Sequence, residues 1–293
     1  MTDPDAASQV ATRPKHVCVY GNDHSPWVQS VLLGLHEKDI AYTLVTVPPL
    51  SVFFESGVLM PAAKIDDGPW LLDSERILVE LGFSEVEADE RRALRVVFGS
   101  GAMRRADAPW KFWHRFSYVR DGHPVIARRW WNQIWRPFSI FYFFILITFG
   151  RRTRPVPTSG QLIHEFSFFQ KCLAPGADFF GGNAPSTVDL QLFGLVQMCA
   201  SIPGPSLAVL RDEPKLRRLR AWIETMQRRF SEYTHLYSAS HFAPDLPEVE
   251  PAPTPERILY WCGAALMWLA LPITLPTVLY FARLVRQKGL QRP

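Results

Sequence analysis

The stretch that most constrains the fold is Leu59 to Ile77, which reads LMPAAKIDDGPWLLDSERI. Two apolar runs of strand length flank the turn-forming residues 66–68, where the glycine is expected to take a positive φ. Asp73 and Ser74 then precede a helix, and their side-chain oxygens can accept hydrogen bonds from the free N–H groups of its first turn. The stretch therefore predicts a β-hairpin followed directly by a capped helix.

The residues before this stretch predict the other half of a small α/β domain. His16 to Tyr20 is a short apolar strand, and Ile40 to Val47 is a second one. Between them Ser25 occupies a good N-cap position, and Pro26 suits the first turn of the helix that follows. The order is β-α-β, a long loop, then β-β-α, in which the crossover implies a parallel pair and the hairpin adds an antiparallel edge. Residues 16–83 are therefore predicted to form a thioredoxin-like domain.

From residue 88 to residue 240 the apolar residues recur at helical spacing, which predicts an all-α C-terminal domain. Helices are expected over Gln161 to Leu173 and over Pro214 to Phe230. Between them, Ser186 with Asp189 three residues later is the pattern of a reciprocal helix cap. We assign this pair a role in folding and no chemistry.

These features resemble the glutathione S-transferase superfamily. The stretch VYGNDHSPWVQSVLLGLHEKDIAYTLV is similar to the first strand, helix and second strand of that family. Met60-Pro61, at the opening of the third strand, and Asp73-Ser74, at a helix start, follow in the family's order. The resemblance implies a thioredoxin-like domain plus an all-helical domain, glutathione as co-substrate, and a homodimer.

The resemblance also implies a glutathione site made of five residues. Ser25, at a helix N-terminus, would donate a hydrogen bond to the glutathione sulfur, where the helix dipole stabilises a thiolate. The backbone of Met60, exposed by a cis Pro61, would pair with the peptide as an added strand does. Asp73 and Ser74 would hold the γ-glutamyl group. Each serine alone could be only an N-cap and the proline only a turn residue, but their joint order favours the site.

The most apolar segment lies near the C-terminus. Residues 258–282 contain no charged side chain, and these 25 residues exceed the roughly 20 that a membrane span needs. A proline-rich acidic linker over residues 244–256 precedes them. Pro272 and Pro276 leave two topologies open, a kinked spanning helix or a re-entrant hairpin. The basic tail favours a cytoplasmic end, whereas a single span would put it outside. We therefore expect a membrane anchor and leave its topology open.

A second apolar segment covers residues 130–149 inside the helical domain. Arginines flank it, tryptophans cluster at one margin, and Arg136 interrupts it, so it is short for a membrane span. A helix lying at the membrane interface, a core helix and a dimer face are all compatible with this pattern. The flanking arginines and tryptophans favour membrane contact.

Charge and cysteine content narrow the class of partner. The net charge of +4 is mild and the arginines cluster around apolar segments, so no nucleic-acid partner is expected. The four cysteines have no metal-ligand spacing, which predicts a reducing compartment and no metal. Residues 1–15 are polar and acidic, without a signal-peptide core, and are expected to be a disordered tail.

The leading functional hypothesis is a membrane-anchored transferase that joins glutathione to a lipophilic electrophile, with its catalytic domain in the cytoplasm. The electrophile would lie between the domains, near Trp110 to Tyr118. The alternative is a non-catalytic module in which the same fold serves membrane interaction or shaping. A glutathione-dependent reductase is disfavoured because Ser25 stands where that chemistry needs a cysteine, and Cys18 lies inside the first strand.

Overall fold

The computed structural model describes residues 14, 16–99, 120–121, 123–153, 157–201, 205–236 and 251–290. Three expectations fall outside these ranges. They are the tail over residues 1–15 apart from Pro14, the electrophile region Trp110 to Tyr118, and the linker as far as residue 250.

The N-terminal domain contains a mixed sheet, and a helix forms the crossover between its two parallel strands. In the described part of the chain the strands lie in the order β2 (Tyr42–Val45), β1 (Val17–Tyr20), β3 (Ala62–Ile65) and β4 (Trp70–Leu72). Strand β2 is parallel to β1, and β3 is antiparallel to both β1 and β4. This is the predicted thioredoxin-like arrangement, and the fold prediction is confirmed. The elements are β1 (Val17–Tyr20), α1 (Pro26–Glu37), β2 (Tyr42–Val45), α2 (Leu50–Ser56), β3 (Ala62–Ile65), β4 (Trp70–Leu72) and α3 (Ser74–Glu80).

Two local details of this domain differ from the prediction. The segment between β2 and β3, expected as a loop, contains the helix α2. In the hairpin turn the left-handed residue is Asp66, with φ 47°, and not Gly68. The N–H of Gly68 donates to the carbonyl of Ile65 at 2.9 Å. Aspartate tolerates the left-handed conformation because its short side chain can hydrogen-bond locally.

The second domain is helical, as predicted. Its core is continuous with that of the first domain, because the buried residues of both belong to one apolar cluster. The described elements are α4 (Ala88–Gly99), α5 (Ile126–Thr153), α6 (Ser159–Cys172), α7 (Thr187–Ser201), α8 (Pro205–Asp212), a 3₁₀ turn (Pro214–Leu216), α9 (Arg217–Arg229) and α10 (Thr254–Leu290).

Asp189 joins the start of α7 to the loop before it and to α9. Its carboxylate accepts from the N–H and the hydroxyl of Ser186, at 2.8 and 2.7 Å, and from Trp222 Nε1 at 2.7 Å. The N–H groups of Phe180 and Gly181 add two more bonds, at 3.0 and 3.2 Å. The predicted reciprocal cap is present, because the N–H of Asp189 also approaches Ser186 Oγ at 3.4 Å. Burial raises the pKa of Asp189, and the hydrogen bonds oppose that rise.

Helix α7 holds the N-terminal end of α1 in place across the domain boundary. A Cβ on Gly194 would lie 2.4 Å from the carbonyl oxygen of Pro26, the first residue of α1. Backbone atoms cannot give way as a flexible side chain can, so only glycine allows this approach. The helical domain therefore fixes where the first turn of α1 lies.

The two apolar segments of the sequence form α5 and α10, which pack against each other. Pro137 lies inside α5, and Pro272 and Pro276 lie inside α10. Because α10 is one continuous helix from Thr254, the last three residues of the expected linker are helical. By length and composition, residues Thr254–Phe281 could cross a membrane, with mean hydropathy 1.8 and only 22% of the most apolar window buried. We call the pair formed by α5 and α10 the helix platform.

Candidate functional site

Ser25 stands at the N-cap of α1, but its hydroxyl does not cap the helix. Its backbone is extended, with φ −69° and ψ 127°, and its side chain makes no capping bond. The side chain is 3% exposed, and within the described ranges its Oγ has no hydrogen-bond partner. A buried hydroxyl without a partner is unusual and calls for an explanation. The simple N-cap role is therefore not what the side chain performs.

Asn22 connects Ser25 to the loop that carries Met60. Its carbonyl accepts from the N–H of Ser25 at 2.8 Å, and its own N–H approaches Met60 Sδ at 3.2 Å. Its side-chain oxygen accepts from the N–H of His24 at 3.0 Å. The sequence-based prediction missed Asn22, although an Asx turn immediately before a helix start is a recognisable signal.

The strand registers place all five predicted residues at one edge of the sheet. Tyr20, the last residue of β1, pairs with Ala62, the first residue of β3. Ala62 in turn pairs with Leu72, the last residue of β4. The turn after β1 leads to Ser25, Met60-Pro61 precedes β3, and Asp73-Ser74 follows β4. These three segments therefore emerge side by side, because paired residues mark the same level of a sheet.

Met60 and Pro61 lie where the third strand opens, and the peptide bond between them is cis. Gly21, with φ 154°, lies in the turn after β1 and next to this loop. A Cβ there would lie 2.3 Å from a methyl group of Val28 and 3.4 Å from Met60 Cβ. A side chain at position 21 would therefore clash with Val28 of α1, whereas its contact with Met60 would be an ordinary van der Waals contact.

Asp73 caps α3, and Ser74 joins that helix to the second domain. Asp73 has φ 80°, and its Oδ1 accepts from the N–H of Glu75 at 2.9 Å. A positive φ at a non-glycine residue has an energetic cost, and such residues cluster at functional sites. The buried Ser74 accepts through its Oγ from Gln191 Nε2 on α7 at 3.2 Å. Gln191 was also missed, because a contact over 117 positions leaves no local pattern.

Glu75 anchors the start of α3 to α4. Its two carboxylate oxygens accept from Arg91 at 2.8 and 2.6 Å, and one of them also accepts from the N–H of Val86 at 3.1 Å. Burial alone would raise the pKa of Glu75, but the bonds from Arg91 and Val86 outweigh it and the pKa is lowered. Glu75 is therefore firmly ionised one residue away from Ser74.

The cysteine nearest the site is poorly suited to thiol chemistry. Burial raises the pKa of Cys18, and the positive charge of Lys64 offsets only part of that rise. A thiol with a raised pKa is a weak nucleophile at neutral pH. Across the described ranges, no group of three or more His, Cys, Asp or Glu residues is arranged to hold a metal ion.

Comparisons with known proteins give structural similarity only. No protein-family profile and no curated protein matches the sequence. Glutathione transferase F2 from Populus trichocarpa is 15% identical, with a TM-score of 0.38, over 73% of this chain and 99% of that one. Glutathione S-transferase isozyme E7 from Drosophila melanogaster is 18% identical, with a TM-score of 0.42, over 74% and 89%. Glutaredoxin 2 from Salmonella typhimurium, solved in complex with glutathione, is 14% identical, with a TM-score of 0.40, over 73% and 94%.

Such low identities and TM-scores carry no argument about the chemistry of this chain. The fold assignment comes from the strand order, the registers and the capped helix α7. Together these features give the chain a thioredoxin-like domain followed by an all-helical domain, which is the two-domain fold that the resemblance to the glutathione S-transferase superfamily implied.

Proposed function

We propose that the protein is a membrane-bound glutathione transferase that joins glutathione to a lipophilic electrophile, with its two-domain body in the cytoplasm. The observation that carries the proposal is the Ser25 hydroxyl, which is buried at a helix N-terminus and has no partner within the described ranges. It stands beside a cis-proline loop and at the same sheet edge as a helix start. A hydroxyl group in this position can donate a hydrogen bond to an anion that binds at the helix N-terminus.

In the proposed reaction the chain binds glutathione and favours its thiolate form. The Ser25 hydroxyl donates to the sulfur, and the positive end of α1 lowers the energy of the negative charge. The backbone of Met60 pairs with the peptide, while Asp73 and Ser74 hold the γ-glutamyl group. The thiol proton leaves to solvent, and the sulfur lone pair forms the bond to the electrophilic carbon, which releases its leaving group with the bonding electrons. Proximity of the two reactants supplies the rest of the rate gain.

Membrane binding is assigned to α10. Its apolar window is mostly exposed, whereas the core helix of a soluble protein is mostly buried. Apolar surface of this extent is typical of a protein or membrane interaction site. The homodimer stays a prediction.

A non-catalytic membrane module is the second candidate. The 3% exposure of Ser25 favours it, because a nucleophile-activating group must be reached by the substrate sulfur. Such a module could bind glutathione without activating it.

The deciding experiment measures the thiol pKa of bound glutathione in the full-length protein, by ultraviolet thiolate absorbance. A hydrogen bond to a charged group contributes about 1.5–3 kcal/mol, so the wild type should lower this pKa by about one to two units. Ser25→Ala should abolish most of that shift. Ser30→Ala is the matched control, since Ser30 is a buried serine of the same helix whose hydroxyl donates to the Trp27 carbonyl.

Each outcome separates the candidates. No glutathione binding by the wild type would remove the enzyme hypothesis. Binding with an unshifted thiol pKa would favour the non-catalytic module. An equal effect of Ser25→Ala and Ser30→Ala would assign the shift to the helix and not to the hydroxyl.

A further inference from the structure

The two helices of the platform run in the same direction and are fixed against each other near their N-terminal ends. Glu256, in the first turn of α10, accepts from Gln133 at 3.3 Å and lies 3.4 Å from Arg129 Nε. About two turns further on, a Cβ on Gly263 would lie 2.1 Å from the carbonyl oxygen of Ile134. Such direct backbone contact leaves α10 no freedom to slide along α5.

The contact continues in the same order towards the C-terminal ends. The rings of Phe141 and Trp268 have centroids 5.0 Å apart, and the hydroxyls of Tyr142 and Thr274 are hydrogen-bonded. Whatever depth α5 takes in a membrane, α10 takes with it.

Helix α5 cannot cross a membrane while the body, which is the N-terminal domain together with α4 and α6 to α9, stays on one side. The chain enters α5 from α4 and leaves it for α6, and both of those helices belong to the body. If α5 crossed, the segment 100–125 would have to cross back. Each charged residue at the centre of a bilayer costs about 2.5–3.5 kcal/mol. Segment 100–125 carries Arg104, Arg105, Asp107, Lys111, Arg115, Arg120 and Asp121.

The chain just before α5 contacts the second and third turns of that helix. Asp121 accepts from Asn132 at 3.1 Å and from Arg136 at 3.3 Å, and both ions of this pair are buried. Arg136 lies more than two turns into α5. If α5 spanned the membrane, this ion pair and the non-helical chain beside it would lie at membrane depth. Non-helical backbone exposed to lipid is avoided, because its polar groups would have no hydrogen-bond partners there.

The C-terminal end of α10 returns to the N-terminal domain. The ring of Phe281 packs against Phe53 and Phe54 of α2, with centroid distances of 5.7 and 6.4 Å. Val58 shares an apolar cluster with Tyr142 of α5 and with residues of α10. The basic residues that follow Phe281 therefore begin on the same side as the body. This agrees with a cytoplasmic body, because cytoplasmic segments carry an excess of positive charge.

One face of the platform is apolar and open. Leu269 is 81% exposed and Ile273 76% exposed, and exposed tryptophans occur on both helices. Tryptophan is enriched at the boundary between lipid headgroups and acyl chains. Among the side chains of the platform whose burial is described, the large exposed apolar ones are Ile126, Trp130, Trp131, Ile258, Trp261, Leu266, Trp268, Leu269, Ile273 and Tyr280.

We propose that the helix platform lies in the plane of one bilayer leaflet and that α10 does not cross the membrane. The occupant of the open face is the lipid of that leaflet. This arrangement keeps the body, segment 100–125 and the basic tail on one side, and so removes the conflict between a spanning anchor and a cytoplasmic tail. The inference rests on the membrane binding proposed above and not on glutathione chemistry.

Thiol labelling in oriented membranes tests the arrangement. Cells expressing the full chain supply inverted vesicles, which expose the cytoplasmic face, and right-side-out vesicles. One variant, Cys172→Ser/Cys262→Ser/Gln287→Cys, reports on the tail. A second, Cys262→Ser alone, reports on the body through the exposed Cys172. The double serine variant without the new thiol gives the background from Cys18 and Cys199.

A membrane-impermeant maleimide should label both reporters in inverted vesicles and neither in right-side-out vesicles. Labelling of the tail reporter only in right-side-out vesicles would show that α10 spans, and would overturn the proposal. Recovery of the wild type entirely in the soluble fraction would overturn membrane binding itself, while leaving glutathione binding to its own measurement.

A double substitution that adds two negative charges tests the open face. Leu269→Glu/Ile273→Glu should lower the membrane-bound fraction by at least about tenfold, because both side chains would carry charge into the leaflet. Ala174→Glu/Ser231→Glu adds the same charge at exposed positions just after α6 and just after α9, and should change nothing. An unchanged bound fraction in the first variant would show that lipid does not cover this face.

Discussion

Glu75 carries a charge that holds the start of α3, and with it Ser74, against α4. Its carboxylate is bonded at both oxygens by Arg91, and this pair is bidentate. Bidentate arginine–carboxylate pairs are stronger and more specific in geometry than single ion pairs. The Arg91 side chain is 38% exposed, so solvent weakens the attraction.

We expect Glu75→Gln to lower the free energy of unfolding by about 1 kcal/mol at neutral pH, because the amide loses the charge and one acceptor. The pKa of Glu75 is lowered in the folded state, so its contribution is present above its ordinary value of 4.5. It is lost as the pH falls through the folded pKa. Denaturant unfolding should therefore show a gap between variant and wild type at pH 7 that closes in acid. Glu80→Gln, at an exposed position of the same helix, is the control and should show no gap. A gap that persists in acid would contradict the charge-based explanation.

Sequence patterns indicate the candidate site residues that depend on local structure and miss those that depend on long-range contacts. Ser25, Pro61 and Asp73 could be found because helix starts and strand openings have short, recognisable signals. Gln191 and Arg91 could not be assigned roles, since their partners lie elsewhere in the chain, whereas Asn22 has a local Asx-turn signal that was missed. The unpartnered state of the Ser25 hydroxyl is also invisible in a sequence, because a serine at that position normally caps the helix.

At the scale of elements, α1 and α7 form the contact that positions the site. The backbone of α7 approaches the first residue of α1 at Gly194, and a second glycine, Gly34 on α1, approaches Leu78 of α3. The order and type of these elements were predictable from apolar spacing and caps. Their closest points were not, because a glycine inside a helix reads only as a weak helix former.

We expect Gly194→Ala to lower the free energy of unfolding by at least about 2 kcal/mol and to weaken glutathione binding. The added methyl group would meet the Pro26 carbonyl at 2.4 Å, so α1 must move, and Ser25 moves with it. Thermal unfolding should show a fall of several degrees. Gly160→Ala is the control, because a Cβ there meets nothing closer than 3.9 Å and alanine favours the helix. Wild-type stability and affinity in Gly194→Ala would contradict this close approach.

At the scale of the whole molecule, the two domains share one apolar core and meet at the candidate site. Ser74 belongs to the first domain and Gln191 to the second, and both are buried. A hydroxyl has one donor and two acceptor positions, so Ser74 can accept from Gln191 and still donate to a ligand. The ligand binding proposed for Ser74 and the packing of the domains can therefore be tested separately on one side chain.

This separation gives a prediction that compares two variants. Gln191→Leu removes only the contact between the domains, so stability should fall by about 1 kcal/mol while glutathione affinity changes by less than about threefold. Ser74→Ala removes the same contact and also the proposed ligand bond. Its stability should fall similarly, because Gln191 is left without its acceptor, but its affinity should fall by about tenfold or more. Thermal unfolding and glutathione titration of the full-length protein measure both quantities. Equal losses of affinity in the two variants would mean that Ser74 acts only through domain packing, and the γ-glutamyl group would then need another partner at this edge of the sheet.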